Sequence, residues 1–287
     1  MIHGTAKSLF LHSMRKLLTL LFASTLMIGF LFEQPEAIVQ EGEIGVTIGG
    51  ANYFGDLNNR AAFNRPKPAV GLFFRKQFGN YVALRVGAHY AQAGYSDAYS
   101  PVEFQRTRNL SFNSDIWELA VQGDFNFFKF IPGSKEFFFT PYVTLGVGSF
   151  NFDPYAYWLN QKYFLRSLGT EGQNLPGNKP YRNQAFCFPI GMGIKYNVSN
   201  NINIAFEISH RFTTTDYLDD VSTVYAGAGA FPANSPASFL QDRSYEFGLP
   251  IGLQGVQRGF SEQKDKYLFA ELAISFAFSS YRCPNPK

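Results

Sequence analysis

Eight charged residues occupy alternate positions of otherwise apolar or small-residue runs: Arg75, Arg85, Glu118, Asp124, Lys195, Glu207, Arg211 and Glu271. Ions that share one phase of an alternating pattern share one face of a strand. Such a set can pair and fill an interior, line a conduit, or move protons at a catalytic centre. Four acids face four bases, and buried charges must find partners, so pairing is the reading that the residue types favour. Acid–base or acyl-transfer chemistry would need a histidine beside a nucleophile or carboxylate. His3 and His12 lie in the N-terminal stretch, which leaves His89 and His210. His89 is in phase with the charged face, and no Ser-containing nucleophile elbow accompanies it, so it reads as a packed interior histidine. Asp216, Asp219 and Asp220 could offer oxygens to Ca²⁺, but their spacing is not that of an EF-hand, and they read as turn and capping residues. Gly191-Met192-Gly193 falls inside a strand pattern with no helix after it, so it is not a phosphate loop. No catalytic residue, cofactor or metal is expected.

The elements that must carry these ions are strands. Alternation recurs in eight runs: Glu43–Tyr53, Pro68–Phe78, Tyr81–Ala91, Leu110–Phe128, Phe139–Phe150, Ala185–Val198, Ile202–Phe212 and Tyr267–Phe278. In each, Val, Leu, Ile and Phe hold one phase, as Val82, Leu84 and Val86 do, while small and charged residues hold the other. Each run reaches the roughly 9–11 residues that a tilted strand needs to cross a bilayer, and their number is even, as in bacterial single-chain barrels. After Ala37 no apolar run is long enough for a spanning helix. The connections alternate long and short. Phe54–Lys67, Gln92–Asn109, Asn151–Gln184 and Thr213–Lys266 are long, while Gly79-Asn80, Lys129–Phe138 and Ser199-Asn200-Asn201 are short to moderate. A soluble sandwich gives no reason for that alternation, whereas outer-membrane barrels have short periplasmic turns and long outer loops. The expectation is an all-β fold: an eight-stranded antiparallel transmembrane β-barrel, OmpA-like, with long extracellular loops and short periplasmic turns. A barrel of this size has room only for side chains inside, so the lumen should be plugged by its ion pairs rather than open. Gly146, Gly148, Gly191 and Gly193 are expected to make room for the long charged chains. Phe125, Phe127, Phe128, Phe130 and Phe137–Phe139 are expected to form an interfacial girdle.

Charged residues make up 16% of the chain against about 25% in ordinary globular chains. Net charge is +3 with no basic run in the mature part, which gives no footing for nucleic acid. Lys7, Arg15 and Lys16 precede an apolar run from Leu17 to Phe32, with Pro35 and Ala37 beyond it. That is the layout of a secretory signal peptide, and a start at Met14 would preserve it. The expected organisation is residues 1–37 as signal peptide, 38–278 as barrel and 279–287 as a periplasmic tail, in the outer membrane with both termini periplasmic. Of the two cysteines, Cys187 is phased to the lumen near the outer end of its strand, whereas Cys283 lies beyond the inner end of the last. A disulfide cannot reach across a bilayer. Cys283 is therefore a candidate contact to a periplasmic partner.

Several stretches together resemble the PorG family of Bacteroidetes outer-membrane barrels. They are Gly49-Gly50-Ala51-Asn52-Tyr53-Phe54-Gly55-Asp56-Leu57-Asn58, Arg65-Pro66-Lys67-Pro68-Ala69-Val70-Gly71, Arg108-Asn109-Leu110-Ser111-Phe112 with Asp115-Ile116-Trp117-Glu118, Thr140-Pro141-Tyr142, Gly169-Thr170-Glu171-Gly172-Gln173 and Thr215-Asp216-Tyr217-Leu218-Asp219-Asp220-Val221-Ser222. Their order and spacing carry the resemblance, from about Glu43 to about Phe278. It implies membership of the type IX (Por) protein secretion apparatus, in which such a barrel associates with a periplasmic ring of the lipoprotein PorK and of PorN. The residues before Met14 and the tail Ser279–Lys287 depart from the family pattern. On that reading the chain anchors or docks a secretion machine, and the other partner is outer-membrane lipid. The alternative is a free-standing OmpA-like barrel whose outer loops bind surface ligands.

Overall fold

The structure is a computed structural model that describes residues 38–248 and 250–281. Residues 1–37, where a signal peptide is expected, and 282–287, with Cys283, lie outside the described residues. Chain contacts define two compact units. Residues 40–279 form one of them, the barrel, and of the other only residues 38–39 and 280–281, at the ends of the first and last strands, are described.

The described residues form ten strands: β1 (Ile38–Phe54), β2 (Lys67–Phe78), β3 (Val82–Ser96), β4 (Ser111–Asn126), β5 (Phe139–Asn151), β6 (Pro154–Trp158), β7 (Gln161–Phe164), β8 (Gln184–Ser199), β9 (Ile202–Thr213) and β10 (Lys266–Tyr281). Eight of them form the ring β3-β2-β1-β10-β9-β8-β5-β4, and the pairing of β4 back onto β3 closes it. The registers between these neighbours are antiparallel, as in Val82↔Phe125 and Phe139↔Tyr196. Closure removes every free edge, which is what lets a sheet cross a medium without water. The shortest barrel strands have 12 residues. At about 3.3 Å per residue and a tilt near 40°, 12 residues still rise about 30 Å, the thickness of bilayer hydrocarbon.

The period-two pattern becomes two faces. Ile44, Val46, Ile48, Leu84, Val86, Leu119, Val121, Leu145, Val147, Ile190, Ile194, Leu272 and Ile274 point out and are exposed. Their neighbours in sequence point in and are buried, among them Arg75, Arg85, Glu118, Asp124, Lys195 and Arg211. An apolar belt of this extent on all sides is a lipid-facing surface. The chain is a membrane-spanning β-barrel, as the eight runs require.

Three details depart from expectation. Phe130 belongs to no girdle: it is buried at 2% exposure, and Lys195 Nζ stands 5.1 Å from its ring. Phe125, Phe127, Phe128, Phe138 and Phe139 do face outward. The strand glycines give space to neutral neighbours rather than directly to charged chains. A Cβ at Gly193 would sit 2.7 Å from the Tyr142 ring, and those at Gly146, Gly148 and Gly191 would meet Gln122, Cys187 and Ser209. Lastly, the connection between β5 and β8 is not featureless. It folds into the β6–β7 hairpin, which extends the sheet where Asn113 on β4 pairs with Tyr155.

Val121 lies opposite Val86 and Val147 in mid-belt, while Phe247 is exposed in the β9–β10 connection. Val121→Arg should lower barrel stability by about 2–4 kcal/mol, read as a lower urea midpoint in lipid vesicles. Phe247→Arg, in water, should leave the midpoint within about 0.5 kcal/mol. Equal effects would mean that the belt does not face lipid.

Candidate functional site

All eight charged residues singled out by phase lie in the lumen, and the structure joins them into two clusters. In the cluster nearer the short turns, Arg75 Nε donates to Asp124 Oδ2 at 2.6 Å and Arg75 Nη1 donates to Glu43. Arg85 Nη1 donates to Glu207 Oε2 at 2.7 Å, with Arg85 Nη2 at 3.4 Å from Asp124 Oδ1. Tyr142 Oη also donates to Glu207 Oε2, at 2.8 Å. In the cluster nearer the long loops, Arg211 makes two bonds of 3.3 Å to Glu118, and Tyr267 Oη donates to Glu118 Oε2 at 2.6 Å. Aromatic faces line the remaining sides. Phe73 lies 4.9 Å from Arg75 and Phe269 lies 4.1 Å from Arg211.

Glu43 was missed by the sequence reading, and it is the hub of the first cluster. Besides Arg75 it accepts from Lys195 Nζ at 3.3 Å, Asn203 Nδ2 at 2.8 Å and Ser275 Oγ at 2.7 Å, on four different strands. The signal was available, since Glu43 opposes Ile44 and shares the phase of Gly45 and Thr47. With Glu43 the lumen holds five acids, so the expected four-to-four balance is corrected. His89 lies beside two of these acids, its ring nitrogens 3.7 Å from Glu118 and 3.6 Å from Glu271, beyond hydrogen-bond reach. Glu271 also accepts from Thr47 Oγ1 at 3.0 Å. His89 is a walled-in lumen residue, and a Cβ on Gly71 would displace its ring. Cys187 is buried and free, and Cys283 lies outside the described residues.

The turn end is stopped by side chains that cap backbone. Asn197 Oδ1 accepts from Gly133 N at 2.9 Å, and its Nδ2 donates to Ser199 O and Asn203 Oδ1, so the β4–β5 connection sits on the β8–β9 turn. Gly133 has φ of +83°, a conformation that other residues rarely adopt. Phe130, from that connection, lies at the foot of the ion cluster. The lumen is therefore filled from this end as well.

The long-loop end has a folded cap. Leu57, Tyr95, Leu110, Phe112, Phe152, Leu165, Leu218, Val221 and Leu240 make a buried apolar cluster, like the core of a small soluble domain. The short helices α2 (Leu165–Leu168) and α3 (Pro236–Leu240) supply Leu165 and Leu240 to it, while α1 (Glu103–Arg108) buries the polar Gln105 and Arg108 in the cap. Arg108 forks onto Asp97 at 2.7 and 2.8 Å and donates to the carbonyl of Arg258. Arg258 reaches Glu171 at 3.1 Å, and Glu171 caps the amides of Ser222 and Thr223. Asp216 accepts from Ser222 Oγ, Asp219 from Val221 N, and Asp220 from Tyr181 Oη. Only Asp219 caps a backbone amide as expected, whereas Asp216 and Asp220 bond to side-chain hydroxyls. Burial pushes the Asp220 carboxyl up to about 6 against the pull of Arg258, and that of Asp216 up to about 7. The motif residues Asp56, Arg108, Glu171 and Asp216 to Ser222, far apart in sequence, thus interlock in one cap. Beside it opens a cleft of about 430 Å³ lined by Tyr181, Arg182, Thr215, Asp216, Tyr217 and Lys264, among others.

The family model described as a domain of unknown function, DUF6089, matches residues 20–226. No curated protein matches the chain. Among solved structures, the N-terminal β-barrel domain of OprF from Pseudomonas aeruginosa is 13% identical with a TM-score of 0.36, covering 84% of this chain and 100% of that one. The attachment invasion locus protein Ail of Yersinia pestis is 12% identical with a TM-score of 0.39, covering 83% and 99%. Neisserial surface protein A is 7% identical with a TM-score of 0.42, covering 86% and 100%.

Removing the Glu43 carboxylate leaves the buried Lys195 ammonium without its ion-pair partner and Arg75 with Asp124 alone. Glu43→Ala should cost about 3–5 kcal/mol, the usual penalty for breaking a buried ion pair. Denaturant titration of the barrel in detergent checks this. A loss below about 1 kcal/mol would mean that the cluster is hydrated.

Proposed function

The chain belongs to the DUF6089 family, and we propose that it is a non-enzymatic outer-membrane barrel that anchors a periplasmic assembly of the type IX secretion machinery. The observation that carries this reading is the closed lumen. Ion pairs fill it along its length, and Phe130 with Asn197 stops the turn end, so the barrel offers no conduit and its work falls to its two ends. The long loops face outward in this reading and both termini lie in the periplasm. The docking elements are then Gly79-Asn80, Lys129–Glu136, Ser199–Asn201 and the tail with Cys283. Fixed turns suit that role, because a rigid surface loses little entropy on binding. The lipoprotein PorK and PorN are the expected ring partners, on the strength of the sequence motifs that meet in the cap.

The cleft beside the cap favours a second reading, a free-standing barrel that binds surface ligands through its outer loops. It joins an aromatic pair, Tyr181 on Tyr217 at 4.4 Å, to hydroxyls and charges of both signs. Affinity capture from detergent-solubilised membranes with mass spectrometry separates the two. The anchoring reading expects ring proteins to co-elute in amounts comparable to the bait. A monomeric bait with no periplasmic companions would end that reading and leave the second.

A further inference from the structure

The longest connection leaves the barrel at Thr213, the end of β9, and returns at Lys266, the start of β10. Its two ends carry Asp219 and Asp265, and both meet one phenol. Tyr53 Oη, beyond the apolar belt on β1, lies 2.6 Å from Asp219 Oδ2 and 2.9 Å from Asp265 Oδ1. The other carboxyl oxygens are occupied: Val221 N donates to Asp219 Oδ1 and Leu218 N donates to Asp265 Oδ2, each at 2.9 Å. All three side chains are 1% exposed.

A phenol has one proton to donate. It can satisfy one of these two oxygen contacts but not both. If both carboxyls were ionised, the second contact would set two proton-free oxygens under 3 Å apart among side chains only 1% exposed. The neighbourhood supplies no remedy. The charged groups facing the pair are Asp56 from the β1–β2 connection, Asp216 from the same long loop, and Arg108 from the β3–β4 connection. Two of the three are acids. Arg108 is already forked onto Asp97, and Lys264 is bonded to the carbonyl of Ser261. Among the described residues no group of His, Cys, Asp and Glu is arranged to hold a metal ion. The missing bond must come from a proton on one carboxyl, donated to the phenol oxygen.

We propose that Asp219 and Asp265 share one proton through Tyr53, and that this triad is a pH-governed latch fastening both ends of the 214–265 loop to β1. Burial, and the repulsion of each carboxyl by its acidic neighbours, hold both well above the usual carboxylate range. A carboxyl whose folded pKa is raised stabilises the closed form below the unfolded value, and that stability is lost as pH rises through the folded one. The latch is thus fastened in acid and loosens as pH rises through the raised pKa of the pair. The same loop supplies Thr215, Asp216, Tyr217 and Lys264 to the cleft, so the shape of the cleft follows the latch. None of this depends on the anchoring role.

Hydrogen exchange over residues 214–223, corrected for intrinsic rates and run on the full chain in detergent between about pH 6 and pH 9, reads the latch. Wild-type protection should fall by up to about tenfold per pH unit once the shared proton leaves. In Asp219→Asn and in Asp265→Asn an amide replaces the acid and the profile should be flat. Infrared spectra at the acid end of that range should show a protonated-carboxyl stretch that either substitution removes. Tyr53→Phe should lower protection across the whole range, with the different mobilities of boiled and unboiled samples on gels confirming that the barrel itself has folded. Parallel profiles in wild type and both Asn variants would overturn the proposal. So would Ca²⁺-induced protection accompanied by loss of the carboxyl stretch, because a cation would then hold the place assigned to the proton.

Discussion

A charge enclosed by eight strands has no water to retreat to, and that constraint organises the interior. Each ion must be met by a counter-ion and by enough hydrogen bonds to use its remaining donors or acceptors. Glu43 satisfies this with four donors from β2, β8, β9 and β10, and Glu118 with Arg211 and Tyr267. Arg75 and Glu43 face each other on the neighbouring strands β2 and β1, but Lys195 with Glu43 and Arg211 with Glu118 join strands that are not neighbours, so those pairs form only once the ring has closed. The ions therefore report completion of the barrel, and disturbing one of them is felt across its whole width. Arginine suits the task better than lysine, since its planar fork serves two acceptors at once: Arg75 spans Glu43 and Asp124, and Arg85 spans Glu207 and Asp124.

The two ends solve the same problem with different chemistry. Short turns leave few backbone groups uncovered, and Asn197 with Gly133 is enough to seal them. Long connections expose many, and they become stable only by building a core of their own. That is why the apolar cluster of Leu110, Phe112, Phe152, Leu218 and Leu240 sits above the ions rather than among them. Arg108, Arg258, Glu171 and Asp242 serve that core by bonding to loop carbonyls and amides, the groups that a sheet would otherwise have paired. In such a cap, side chains take the part that ladders play below. Its acids are held by specific donors in a site far drier than the surface, so their protonation is tied to loop geometry in a way that surface carboxylates never show.

The barrel was legible because alternation is a local signal: Val82, Leu84 and Val86 against Ala83, Arg85 and Gly87 state the strand and its two faces within a few residues. The lumen charges followed from phase alone, and their partners did not. Nothing in sequence links Arg75 to Asp124 or Arg211 to Glu118, because strand tilt and stagger decide which levels meet. Glu43 was missed at the edge of a run, where alternation has fewest neighbours to support it. Phe130 was misplaced because an aromatic just past a strand end suits a membrane interface or a lumen mouth equally well, and only the inward fold of the β4–β5 connection decides between them. The cap was least legible. Its core residues have no period, since loops place side chains by turns, and the β6–β7 hairpin is too short for alternation to stand out from chance.

Why the interior is ionic at all follows from the same alternation. With apolar side chains on both faces, a slip of one residue would exchange inside for outside at little cost, because both versions would be compatible with lipid. With Arg75, Arg85, Lys195 and Arg211 on one face, the slipped strand would turn each into the bilayer at about 2–4 kcal/mol near mid-depth. The paired lumen is close to neutral in stability, since desolvation offsets most of the Coulomb attraction. Its contribution is to make one inside–outside assignment far better than the other. A barrel selected in this way needs no conduit and no chemistry in its lumen. That leaves evolution free to specialise the turns and loops at its ends, where the interlocked aspartates, arginines and tyrosines of this chain are concentrated.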